Sequence, residues 1–164
     1  MAKSFFSKLF GKKDSDKAFQ KVKKDAFGDD RKTEINDNER FSDGSEFSYS
    51  AQYAHFESNQ IEQKGACSLE GFLGEFENFN WLEQLEEANK NQKVSPTLSL
   101  RYNPTNHEMG ISIMGKNAKE YSYLVFFGKF GDMNSTETDD EEQIKNYITM
   151  FFNRDFKELE GEIV

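Results

Sequence analysis

From Glu46 onward the apolar and polar positions of this chain fall into regular periods. Phe47, Tyr49, Ala51, Tyr53 and His55 alternate with Ser48, Ser50, Gln52 and Ala54, a period of two that predicts a strand with one aromatic face. Residues 57–66 are polar and read as a loop. Ser68 then caps a helical stretch with Leu69, Phe72, Leu73 and Phe76 at helical spacing. A break follows near Asn78-Phe79-Asn80. Trp81, Leu82, Leu85 and Ala88 place a second helix over 80–90, with Asn80 at its cap. Leu98, Leu100 and Tyr102 alternate again, Asn103-Pro104-Thr105-Asn106 has turn chemistry, and Met109, Ile111 and Ile113 continue the period of two. Gly115-Lys116-Asn117-Ala118 reads as a second turn. Tyr121–Phe130 is almost unbroken apolar sequence, which predicts a central strand covered on both faces. Residues 128–138 read as a loop. Thr138-Asp139-Asp140-Glu141 has capping-box form, and Ile144, Tyr147, Ile148, Phe151, Phe152, Phe156 and Leu159 keep one helical face until Gly161.

These elements predict an α+β fold over residues 46–164. It has an antiparallel sheet with helices packed on one face, in the order β-α-α-β-β-β-α. Two segments precede it. Residues 1–13 hold Phe5, Phe6, Leu9 and Phe10 on one helical stripe, with Lys3, Lys8, Lys12 and Lys13 as their charges, so they read as a basic amphipathic helix. Residues 14–45 carry nine acids and seven bases with sparse apolar positions, and read as a flexible polar tail. Within that tail Ala18, Phe19, Val22 and Ala26 share a face, enough for a short helix near 16–26 that also presents Lys17, Lys21 and Lys24.

Composition sharpens this picture. The 164 residues include 17 Phe, 6 Tyr and 1 Trp, and each buried aromatic removes roughly 150–250 Å² from water. A core is therefore affordable at 35% hydrophobic content. The net charge is −9 and the tip carries +4, which leaves −13 on the rest. An acidic body disfavours nucleic acid, because phosphate binding needs a basic surface, and suits a basic protein partner. The tip suits an anionic membrane surface. Cys67 is the one cysteine, so no intramolecular disulfide forms. No segment reaches the ~20 apolar residues of a membrane span, and Lys8 interrupts the apolar part of the N-terminus, so the chain is expected in the cytoplasm, with the tip at the inner face of the membrane.

Catalytic and metal signatures are weak. Asp132, Asn134 and Thr136 repeat the first ligand positions of an EF-hand, but Glu137 and Gln143 stand where a glycine and an acid are needed. Neither His55 nor His107 has a partner at metal-ligand spacing, and no nucleophile elbow or phosphate loop occurs. The expectation is a non-enzymatic protein that uses no cofactor and no metal. Glu83, Glu86 and Glu87 lie on the outer face of the Trp81 helix, opposite Leu82 and Leu85, and form the candidate partner-binding residues. The candidate membrane contacts are Phe5, Phe6, Leu9 and Phe10 with Lys3, Lys8, Lys12 and Lys13.

In size and charge the body resembles the immunity proteins of bacterial toxin systems, which implies masking of a basic toxin or effector. Phe-Phe-Ser-Lys-Leu-Phe-Gly-Lys-Lys at 5–13 is similar to the membrane-associating start of bacterial signal-recognition-particle receptors. That likeness covers nine residues, and no GTPase motif follows. Two functions are therefore expected: an acidic binding protein for a basic partner, or a peripheral membrane adaptor anchored by its N-terminal helix.

Overall fold

A computed structural model of the chain describes residues 45–164. The tip at 1–13 and all of the tail at 14–45 except Ser45 lie outside the described residues. Six strands form one antiparallel sheet: β1 (Phe47–Gln52), β2 (Glu62–Ala66), β3 (Thr97–Tyr102), β4 (His107–Asn117), β5 (Glu120–Lys129) and β6 (Asp132–Thr138). Their spatial order is β2-β1-β3-β4-β5-β6. Helices α1 (Leu69–Asn78) and α2 (Trp81–Asn91) connect β2 to β3, and α3 (Glu141–Asn153) and α4 (Phe156–Glu162) follow β6.

The period of two sets the layers. Tyr49, Leu100, Met109 and Phe127 line up across four strands, and so do Ala51, Leu98, Ile111 and Val125. These rows point to one face. Phe72 and Phe76 of α1, Trp81 and Leu85 of α2, and Ile144, Ile148 and Phe151 of α3 close over them in a single hydrophobic cluster. The fold is thus α+β, with the helices gathered on one face of an antiparallel sheet. A one-residue slip in any strand would turn its aromatic set away from the helices, so burial fixes the register.

The helix starts follow local chemistry. Ser68 caps α1, its Oγ accepting from the Gly71 amide at 3.1 Å. Asn80 does stand at the α2 cap position, but its backbone is left-handed (φ 55°) and its side chain makes no cap bond. The corner is held instead by the Trp81 indole, whose Nε1 donates to the Phe76 carbonyl at 2.8 Å inside the core.

Several expectations need correction. Residues 57–66 are not all loop: β2 pairs with β1 through an irregular register at Tyr49 and Ser50, and its polar residues suit an edge strand. Residues 128–138 are not a loop either, since β6 pairs with β5 along its whole length. Its Asn, Ser and Thr side chains lie on the rim, where there is little to bury. The strand at 120–129 is buried on both faces as its sequence predicts, yet it lies next to the edge strand β6, and β3 and β4 occupy the middle. The predicted turn at Gly115–Ala118 is a bulge within β4, and the chain reverses after Asn117. The capping residue of α3 is Asp140, which accepts from the amides of Glu142 and Gln143, and Thr138 bonds the Asp140 amide instead. Finally, the apolar face from Ile144 to Leu159 is two helices. Arg154 turns left-handed (φ 67°) and ends α3, while Gly161 sits inside α4 rather than stopping it.

Candidate functional site

Helix α2 is pinned to the domain along one side. Trp81 and Leu85 enter the core, the Gln84 amide oxygen accepts from the Ala54 amide at 2.8 Å, and Asn89 Nδ2 donates to the carbonyls of Gly115 and Lys116 at 3.2 Å each. At 100° per residue, Glu83, Glu86 and Glu87 then turn outward, with Lys90 on the same stripe one turn further on. Glu83 and Glu86 are exposed and make no ion pair with a described residue. Glu87 is half-buried and accepts from Asn91 Nδ2 at 3.3 Å. The structure therefore brings the three predicted carboxylates together on one surface.

Leu82 changes the character of that surface. It is expected opposite the glutamates, together with Leu85, but only Leu85 is. Leu82 is 40% exposed and sits beside Glu86 at the edge of the stripe. It is one of three large hydrophobic side chains left exposed among the described residues, the others being Phe130 and Val164. The surface thus has an apolar contact point at the margin of its carboxylates. Sequence alone misses this, because a leucine at helical spacing reads as core. The signal available was its position 100° from Trp81, at the margin of the apolar arc.

The other acids do not join this surface. Glu77 of α1 pairs with Lys145 at 3.0 Å, and Lys145 also pairs with Glu142 at 3.0 Å, which fastens α1 to α3. Glu75 lies against Tyr49, whose phenol is shifted upward by burial and by that carboxylate. Glu141 accepts from the Tyr123 hydroxyl at 2.9 Å.

The weak chemical candidates have structural roles. Asp132, Asn134 and Thr136 project from one side of β6, about 7 Å apart, which is a ladder and cannot encircle a cation. No group of three or more His, Cys, Asp or Glu able to hold a metal occurs among the described residues. His55 stacks on Tyr53 and meets the edge of Phe56. His107 stacks on Phe127 and Phe156 and pairs with the Thr105 hydroxyl at 2.6 Å. Burial pushes the Cys67 thiol up to about 12, so it is held as an unreactive thiol at neutral pH.

The eight predicted membrane-contact residues, Lys3, Phe5, Phe6, Lys8, Leu9, Phe10, Lys12 and Lys13, all lie outside the described residues. No described helix is long and apolar enough to cross a membrane. Compared with known proteins, the chain matches no family model, no curated protein and no solved structure.

Proposed function

We propose that this is a non-enzymatic binding protein that engages a basic protein partner through the outer face of α2. The observation that carries this reading is Leu82, exposed beside the carboxylate stripe on a helix whose other side is fixed to the sheet. Exposed apolar contact points on rigid elements supply binding energy, while surrounding charges steer and select the partner. A toxin or effector with a cationic surface is the partner class that suits this charge, and an immunity-type inhibitor is the corresponding role. The test is capture from the native host with the full chain and with a Glu83→Lys, Glu86→Lys variant. The proposal expects a basic protein that elutes with salt, is lost by the variant, and is lost while the melting temperature stays unchanged. Equal capture by the variant contradicts it.

A second reading rests on the tip. The stripe of Phe5, Phe6, Leu9 and Phe10 among four lysines supports a peripheral membrane adaptor, and it is compatible with the first reading because the two surfaces lie in different parts of the chain.

A further inference from the structure

The sheet has a second face, and none of the described helices lies on it. The helix-side cluster takes in no residue of that face. The face nevertheless is not dressed for water. Its strip of Met114, Leu124 and Phe126 is 8%, 6% and 1% exposed. Around the strip lies a floor of small residues, including Ser48 and Ser112, both at 0%. Gly110 makes room for the Phe126 ring: a Cβ there would lie 1.9 Å from it. The ring therefore lies flat on the sheet, and a flat ring turned to water would expose one whole side. Beside it the Arg101 guanidinium and the Glu108 carboxylate pair at 3.4 Å with both side chains largely buried. Burying a charge pair under water alone is not feasible, so something covers this face.

The described residues offer no cover, and 44 residues of the chain precede them. That segment enters at Ser45, whose carbonyl accepts from Asn103 Nδ2 at 2.7 Å, and Ser48 of the buried floor comes three residues later. The segment contains one internal stretch with an apolar helical face, where Ala18, Phe19, Val22 and Ala26 align. We propose that residues 16–27 form a helix that seats on this second face of the sheet. A 12-residue helix is about 18 Å long. The row Ser50, Ser99, Gly110 and Phe126 spans four strands, or about 14 Å, so the lengths match. The shapes match too: Ala18 and Ala26 allow close approach, and Phe19 and Val22 supply the bulk that a floor of serine and glycine lacks. At 100° per residue Lys17, Lys21 and Lys24 fall on the side of this helix away from Ala18, Phe19, Val22 and Ala26, so they turn to solvent when it is seated. The eighteen or so residues between this helix and β1 can stretch to about 60 Å, so reach sets no limit.

The test places a thiol on the face with Ser99→Cys, a half-buried site, in the full chain carrying Cys67→Ala. Reaction with a thiol reagent reads the cover directly, and Trp81 emission reports whether the helix-side core stays folded. The proposal expects slow labelling that rises about tenfold or more in Phe19→Ser, Val22→Ser, as a locally opened segment would give, with Trp81 emission unchanged. If that pair of substitutions also shifts Trp81 emission, the milder Val22→Ala must accelerate labelling with the emission intact. No acceleration by either variant overturns the proposal. So does acceleration by Phe5→Ser, Phe6→Ser instead, which makes the tip the cover, or protection that disappears on dilution, which makes it a second copy of the chain.

Discussion

At the scale of single residues, position on the sheet or helix decides energetic weight more than residue type. Phe151 and Phe152 are neighbours, yet Phe151 is fully buried against Phe127 and Phe156 while Phe152 lies on the margin against Phe47. Phe151→Ala is expected to cost about 3–5 kcal/mol, the usual penalty for emptying an aromatic core site, and Phe152→Ala distinctly less. Denaturant melts of the two variants check this, and equal losses would contradict it. Phe126→Ala belongs with Phe151→Ala, because its ring is as deeply buried from the other face. His107 gives a pH signature. Burial and the nearby Lys129 hold its imidazole below the ordinary 6.5, with Glu160 acting weakly the other way. A depressed folded value means the unfolded chain binds the proton first, so stability is lost as pH falls from about 6.5 through the folded value. His107→Phe keeps the stacking and removes the titration. The wild-type melting temperature should therefore fall more than the variant's between about pH 7 and 5.5, where histidine is the ordinary titrating side chain. Parallel falls would assign the titration to other groups.

At the scale of elements, caps and edges carry the lessons. Asp140 accepts two amides at the start of α3 and stands with Glu141 and Glu142 at the positive end of the helix dipole. Asp140→Ala is expected to cost about 1 kcal/mol, read in a thermal melt, and Thr138→Ala less, since Thr138 accepts only the amide of the cap residue and its other bond, to the Gln143 side chain at 2.7 Å, is exposed. The reverse ranking would restore the capping box read from sequence. The sequence made the buried elements legible, because burial imposes a period: β1, β3, β4, β5 and the cores of α1, α2 and α3 all show one. It left β2 and β6 illegible for the same physical reason. Edge strands bury one face poorly, so Glu62–Ala66 and Asp132–Thr138 look polar and aperiodic, and only backbone pairing defines them. The break at Arg154 was hidden because Phe156 and Leu159 return to the same core after a left-handed residue, and spacing alone cannot see that turn. The candidate surface was half legible. Its glutamates follow from helical phase, but the exposure of Leu82 depends on how α2 is rolled on β4, which neighbouring elements set.

At the scale of the whole molecule, charge and apolar surface are divided among distinct regions. The helix side of the sheet is core, the outer side of α2 presents carboxylates with Leu82 at their edge, and the lysines of the tip lie at the far N-terminus. The tip is expected to bind anionic vesicles weakly, with each lysine contributing on the order of 1 kcal/mol near a charged surface. Binding should weaken with salt and vanish in Phe5→Ser, Phe6→Ser with an unchanged melting temperature, as co-sedimentation and a melt would show. A lowered melting temperature would place those aromatics in the fold instead. The central claim concerns α2, and the most direct measurement is carbodiimide labelling of carboxylates with and without the captured partner. Glu83 and Glu86 should lose most of their labelling in the complex, while the exposed Asp132 and Glu160, on β6 and α4, keep theirs. Unchanged labelling of Glu83 and Glu86, with protection at Asp132 or Glu160, would place the partner elsewhere and contradict the account.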